Sequence, residues 1–398
     1  MQDAALRCRV CETVTPSRLA EQCERCDGPL DVAYDWDVLR ETVSRDDIAA
    51  GPPSLWRYAP LLPVQPDGHG LPAGWTPLIH ADRLSGLLGI ELWLKLETAN
   101  PTQSFKDRIA AIAGAATAQC GLQTICCSSS GHLGDAVAAE AAARGLEAVI
   151  LAPADAPLVS SEVYGAHLVG LDCSFDACHE LERELSELFP WAFLEGNLEA
   201  YAAEGAKTLA YEIVEQLAWN APDAVVCPIG SGRLFAKAAQ GMAELERLGW
   251  LEGAAPRLYG AQAEGCSPVA AAFADDRPVS AVESTTFVNS LAVGRPSAGD
   301  LAIGAARASG GGILSVPEGR IGNHRQQLAE ITVIYADAAG GVAVGALFEA
   351  VRDGKIATGE TVVLVVTGTG FAPAGAGPGP PLINPTVEAI LNRLGLDQ

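Results

Sequence analysis

A chain of 398 residues, 49% of them hydrophobic and 19% charged, is long enough for two or three domains and too apolar to stay disordered. Its formal charge of −23 excludes a polyanion such as nucleic acid as partner, because counterion release needs a basic face. No run approaches the roughly 20 apolar residues of a spanning helix, and no signal-type apolar core opens the chain, so the expectation is a cytoplasmic protein with no membrane partner.

Residues 1–35 carry "CRVC" and "CERC", that is Cys8, Cys11, Cys23 and Cys26. Two CxxC pairs joined by a short loop present four thiolates to a tetrahedral zinc ion, around which a small ribbon folds. The alternative is a set of idle surface thiols, which the recurrence of the pair disfavours. The cysteines number eleven, an odd count that speaks against a disulfide framework. Cys126, Cys127 and Cys227 lie in apolar strand-like runs and read as small core residues.

A connector rich in Pro and Gly follows, from "AAGPPSLW" to "LPAGWTP". Beyond it, short apolar runs alternate with Ala-rich helical segments. The runs are "IELWLKLE", "TICCSSS", "LEAVILAP", "DAVVCPIG", "RLYGAQAE" and "TVVLVVTG". This alternation predicts an α/β protein built on parallel sheets, in which ligands gather outside the C-terminal ends of the strands. After residue 371, "APAGAGPGPP" reads as a linker to "NPTVEAILNRL", where Asn384 is placed to cap a helix and Pro385 to occupy its first turn.

Three of these strand ends open into loops of small polar residues. "SSSGHLGD" (128–135) offers hydroxyls ahead of a helix. "PIGSGRLF" (228–235) runs strand, Gly/Ser loop, helix, and its backbone N–H groups over Gly230–Leu234 suit a phosphate at a helix start. "VVTGTGF" (365–371) ends on the hydroxyls of Thr367 and Thr369. Any one such loop is a weak signal, since tight turns in α/β proteins look alike. The stretch "NPTQSFKDRIA" (100–110) adds a lysine, Lys106, at the head of a helical run.

Together these segments resemble the pyridoxal phosphate enzymes of fold type II, with the tryptophan synthase β-subunit fold, and among them the threonine synthase family. The family's Pro-Thr-Gly-Ser-Phe-Lys-Asp-Arg pattern is matched by Pro101, Thr102, Ser104, Phe105, Lys106, Asp107 and Arg108. Further matches are "GWTPLIHA", "LWLKLETANPT", "EGAKTLAYEI", "YGAQAEGCSPV" and the N-terminal ribbon with "GPLDVAYD". The resemblance implies two parallel-sheet α/β domains with the active site between them, plus the zinc-ribbon-like segment. The boundaries it suggests are 1–35 for the ribbon, 36–110 with 206–380 for a large cofactor domain, 111–205 for a small α/β domain, and 381–398 for a C-terminal helix. It also implies a homodimer and a small amino-acid substrate.

By the same resemblance, Lys106 is the Schiff-base lysine and the base that removes the substrate α-proton. A lysine near cationic or apolar groups has a lowered pKa and so offers a neutral amine. Gly230, Ser231, Gly232, Arg233 and Leu234 correspond to the phosphate cup, and Thr367 to the hydroxyl facing the pyridine nitrogen. A neutral hydroxyl there leaves that nitrogen unprotonated, which suits elimination and replacement better than transamination. Phe105 and His132 are assigned to the cofactor, with His132 also a candidate acid or base. Ser104, Ser129, Ser130, Gly131 and Thr369 are assigned to the substrate.

The chain also departs from the family pattern. The family's Ser-Gly-Asn segment reads Ser130-Gly131-His132, and its glycine before Ser104 is Gln103. In the "GNLEAYAAEGAKT" stretch, Ala202 stands where the family has a phosphate-holding arginine, and Glu199 where it has asparagine. Glu-Pro-Ala-Ser-Ala becomes "ADAAG" (336–340), and Thr-Gly-His-Gly becomes Thr367-Gly368-Thr369-Gly370. Loss of a guanidinium removes a bidentate phosphate contact, and an added carboxylate repels a dianion. The expectation is therefore β- or γ-elimination or replacement on an amino acid other than O-phosphohomoserine. True threonine synthesis, cysteate synthase-like replacement and serine or threonine dehydration are the enzymatic alternatives, and a degenerate cofactor-binding regulator the non-enzymatic one.

Overall fold

The computed structural model of the chain describes residues 5–16, 19–129, 131–154, 156, 161–371 and 380–396. In chain order the first strands are β1 (Ala5–Cys8), β2 (Val14–Thr15), β3 (Leu30–Ala33), β4 (Leu78–His80), β5 (Glu91–Leu96), β6 (Thr124–Ser128) and β7 (Glu147–Pro153). They are followed by β8 (His167–Leu171), β9 (Ala192–Phe193), β10 (Ala224–Pro228), β11 (Arg257–Ala263), β12 (Gly312–Val316) and β13 (Thr361–Val366). The chain divides into two compact units, one of residues 1–73, 106–205 and 373–398, the other of residues 74–105 and 206–372.

The first unit holds a small antiparallel sheet, β2-β1-β3, and a four-stranded parallel sheet, β8-β7-β6-β9. Residues 36–73 were expected with the larger domain but cluster here, because hydrogen bonds tie them to helices of this unit. Leu71 N donates to Glu140 Oε2 at 2.8 Å, Arg144 Nη1 meets Asp67 Oδ2 at 2.7 Å, and Gln119 Nε2 reaches Gln65 O at 2.7 Å. The C-terminal segment also belongs to this unit. Ile383 lies beside β8, with Ile383 N on Gly170 O and Asp172 N on Ile383 O. The last helix, Val387–Leu394, is capped by Thr386, whose hydroxyl accepts from Ala389 N, so the cap expected at Asn384 moves two residues on. Thr386 has both the extended backbone and the short hydroxyl that a cap needs.

The second unit is a six-stranded sheet, β12-β11-β10-β13-β5-β4, parallel except for the edge strand β4. Its central strand β13 reads TVVLVV without alternation because both faces are covered, and every residue after Thr361 is buried. The helix Ala338–Arg352 packs there, its small residues Ala339 to Ala346 all buried with Leu347.

The Ala- and Gly-rich composition of the helices sets how closely they pack. In the first unit a Cβ added at Gly205 would lie 2.0 Å from Arg108 O in the helix Lys106–Gln119, so the backbones approach to a distance that only hydrogen permits. Backbone cannot yield as a side-chain tip can. Gly205→Ala is therefore expected to destabilise the protein by about 1–3 kcal/mol despite alanine's better helix propensity. A urea melt checks this, and an unchanged or raised midpoint would contradict the close packing.

Candidate active-site elements at the strand ends

In the first unit, Lys106 opens the helix Lys106–Gln119 and His132 opens the helix His132–Arg144, which follows β6. Both are partly buried. Burial, and after it the Lys106 charge, push the His132 imidazole below its ordinary pKa, so it is neutral at neutral pH. The structure thus brings these two predicted residues within electrostatic reach of each other. Ser129, expected to meet substrate, is instead used by its own loop. Its buried Oγ accepts from Gly131 N at 3.1 Å and Gly134 N at 2.7 Å, capping the helix in place of the glycine N-cap. Gly131 has φ of 149°, a backbone that side-chain-bearing residues rarely adopt. Ser130 lies outside the described residues.

Sequence reasoning missed the support beneath this loop. Glu182, fully buried, accepts from Ser128 N at 2.7 Å and from Glu195 N at 3.0 Å, joining the ends of β6 and β9. Burial, and then the Glu195 charge, raise its carboxyl to about 8. In "HELERELS" a glutamate reads as one of several solvated charges, and only the fold turns this one inward.

In the second unit the stretches around residues 103–105, 335–337 and 367–370 are laced together. Phe105 N donates to Thr367 O at 3.0 Å, Thr369 N to Gln103 O at 3.1 Å, and Asp337 N to Gly368 O at 3.0 Å. Ser104 bridges Gly368, and Ala336 bridges Thr369. Four predicted residues, Ser104, Phe105, Thr367 and Thr369, are thereby brought together. The Thr369 hydroxyl accepts from Phe371 N at 3.2 Å. Gln103 has φ of 65°, which explains why the family pattern has glycine there. A glutamine in this left-handed region costs about 1–2 kcal/mol relative to the right-handed one.

The Gly230–Leu234 loop ends β10, a neighbour of β13, so it and Thr367 stand at the same end of the sheet. The helix Arg233–Leu248 begins with Gly232 at φ of 91° and no side-chain cap. A Cβ at Gly232 would lie 2.6 Å from Ala298 O, and one at Gly230 would lie 2.9 Å from Ser290 O. Both glycines are required by backbone packing, and no side chain caps the helix start, where the N–H groups and the helix dipole favour an anion. Arg233 Nη2 stands 3.5 Å from Ser297 Oγ.

The ribbon cysteines converge. The sulfurs of Cys8, Cys11, Cys23 and Cys26 all lie within 4.8 Å of one another, with Cys8–Cys26 at 3.4 Å and Cys11–Cys23 at 3.5 Å. Tetrahedral zinc with bonds of about 2.3 Å separates its sulfurs by about 3.8 Å, so the donor set fits that ion.

The family model described as "Pyridoxal-phosphate dependent enzyme" matches residues 70–368. The threonine synthase of Methanosarcina acetivorans is 32% identical over 353 residues, covering 87% of this chain and 86% of that protein. The threonine synthase of Methanocaldococcus jannaschii is 30% identical over 377 residues, 92% of each. Among solved structures, maize serine racemase superposes with a TM-score of 0.64 at 20% identity, over 75% of this chain and 90% of that one. The processed form of threonine deaminase isoform 2 from Solanum lycopersicum gives 0.65 at 18% identity, over 95% and 91%. At that identity the superpositions speak to fold.

The chain's donors fit the cofactor that the family description names. The uncapped first turn after Gly232 suits a phosphate monoester. The hydroxyl of Thr367, a buried residue, makes no hydrogen bond among the described residues and suits a ring nitrogen.

Two expectations follow from these geometries. Asp337, half-buried, caps the helix Ala338–Arg352 by accepting from Gly340 N at 2.7 Å, and desolvation of its carboxyl raises it from 3.8 to about 6. Folding then takes up a proton between those values, so this group's contribution is greatest below about 3.8 and is lost as pH rises through about 6. Asp337→Asn should flatten the stability–pH curve over that window, as read by chemical denaturation. Cys23→Ser should lose the zinc measured by elemental analysis and lower the melting temperature of the ribbon; equal zinc content in the variant would refute the four-thiol site.

Proposed function

Because this chain belongs to the pyridoxal-phosphate dependent enzyme family, we propose that it is a threonine synthase-like lyase or synthase. It performs β- or γ-elimination or replacement on an amino acid that carries a side-chain leaving group, and its preferred substrate is not O-phosphohomoserine. The observation that carries this reading is the presence in one chain of Lys106, in its Ser-Phe-Lys-Asp-Arg setting, and an uncapped Gly-Ser-Gly helix start at 230–232.

Pyridoxal phosphate, when bound, delocalises the electron pair left when the Cα–H bond of an amino acid breaks. The chain's own residues supply the rest. Backbone N–H groups at 232–234 hold the phosphate by hydrogen bonds that the helix dipole strengthens. Thr367 Oγ1 orients the ring without placing a charge beside it. Lys106 Nζ, in its neutral form, takes the α-proton. His132, kept neutral by burial, donates a ring N–H hydrogen bond to the cofactor, and the proton that Lys106 has taken is the one available to a departing group. Ser104 and Thr369 are the hydroxyl-bearing residues proposed to face substrate.

The substrate preference rests on the segment leading into the helix Glu199–Gln216. Ala202 is buried and apolar, and Glu199 adds negative charge to the helix start, so no guanidinium is offered there to a substrate phosphate. This favours an unphosphorylated leaving group, as in hydroxy or acyloxy amino acids.

The purified protein should absorb in the visible range as a lysine-bound cofactor does, and Lys106→Ala should lose that band and fall in activity by at least about 10³-fold. A panel of amino acids in O-phospho, O-acyl and free hydroxyl forms, followed by release of phosphate or ammonia, then identifies the substrate. Rapid phosphate release from O-phosphohomoserine with threonine formed would overturn the proposed preference, and a colourless protein with added cofactor would overturn the enzyme reading.

A further inference from the structure

The helix Phe175–Ser186 starts at Ser174, whose backbone is extended and whose hydroxyl accepts from Ala177 N at 3.3 Å. The residue before such a cap and the fourth residue of the helix stand side by side and commonly form an apolar clasp. Both places hold cysteine here. Cys173 and Cys178 are not joined in a disulfide, and their sulfurs lie 3.6 Å apart. Cys178 is buried in the core of the first unit, while Cys173 is partly exposed, so one sulfur of the pair meets solvent. Neither belongs to the ribbon cluster or to the proposed catalytic residues. Cys178 is nevertheless joined to the loop described above: its carbonyl accepts Ser128 Oγ at 2.9 Å, one helical turn before Glu182 takes Ser128 N.

We propose that Cys173 and Cys178 are an oxidative modification site, at which a low-molecular-weight disulfide converts the clasp into an intramolecular disulfide that clamps the helix start and its anchor on Ser128. The Cys173 thiolate attacks one sulfur of the small disulfide and releases one small thiol. The Cys178 sulfur then attacks Cys173 in that mixed disulfide and releases the second. The protein gives up two protons and two electrons, and the small disulfide takes them up as two thiols. Closing the sulfurs to a bond of about 2.05 Å needs a movement of about 1.5 Å, which rotation of Cys173, outside the helix, can provide. Burial pushes the Cys173 thiol above its ordinary pKa, so its thiolate fraction, and with it the rate, grows as pH rises.

The sequence offers a clean assay. No Lys or Arg lies between Arg144 and Arg183, so trypsin releases a peptide of residues 145–183 whose only cysteines are these two. The full chain, with its metal retained, is incubated with oxidised glutathione, quenched in acid, alkylated and digested. The expected peptide is lighter by two hydrogens and unalkylated, becomes doubly alkylated after dithiothreitol, and forms faster at higher pH. Cys178→Ala should stop at glutathione on Cys173. Cys173→Ser, at the partly exposed position, should stay folded and react at neither place. Two alkylated cysteines in the treated wild-type peptide, or a stable glutathione adduct there, would overturn the site. Hydrogen exchange at Ser128 should slow in the oxidised form, and unchanged exchange would overturn the link to the strand end.

Discussion

A buried polar chain in the second unit fixes the backbone on which the lysine segment hangs. Lys95 on β5, with no exposed surface, donates to Glu212 Oε2 at 2.7 Å, to Thr76 O at 2.7 Å and to Gln216 Oε1 at 2.9 Å. Glu212 in turn accepts from Trp75 N and Thr76 N, and Thr76 Oγ1 donates to Glu97, which also accepts Asn100 Nδ2. Asn100 Oδ1 closes the circuit on Gly74 N. A buried ion pair is costly to break, since removing one partner strands a charge and typically costs about 3–5 kcal/mol. The circuit makes sense of two otherwise unrelated matches, "GWTP" and "KLETANPT": they are the two sides of one hydrogen-bonded network.

From Asn100 the constraint passes along the chain to the chemistry. Gln103 N donates to Asn100 O, Gln103 holds a left-handed turn, and Phe105 is paired to Thr367 just before Lys106. The 335–337 stretch closes the same lattice from the other side. A Cβ at Gly370 would lie 2.3 Å from Ala336 O, so the glycine after Thr369 is a packing requirement. The rewritten "ADAAG" segment is therefore structural as well as divergent: Asp337 caps a helix and its N–H holds Gly368.

The first unit solves a parallel problem with a different device. Its candidate loop is held from inside by Ser129 Oγ and from beneath by Glu182, with Ser128 Oγ anchored on Cys178 O. Ser128 N and Ser129 N, on Glu182 and Leu151 O, fix the strand end, and His132 is placed by the helix it begins. The family pattern reads asparagine where this chain has His132, and a neutral imidazole keeps a hydrogen-bonding capacity at that position.

Periodicity and composition were enough for much of this. Strand–helix alternation gave the parallel sheets, tandem CxxC pairs the four-thiol cluster, and the motif around Lys106 the family, because each is a local pattern whose physical cause lies within a few residues. What the fold alone decided depends on partners far along the chain. Residues 36–73 belong with the first unit through Glu140, Arg144 and Gln119, and the last helix starts at Thr386 rather than Asn384. Glu182 supports the strand end through burial and the N–H group of Ser128, 54 residues away, which no local pattern records; Asp337 caps its helix locally on Gly340 N but joins the lattice through its own N–H on the distant Gly368 O.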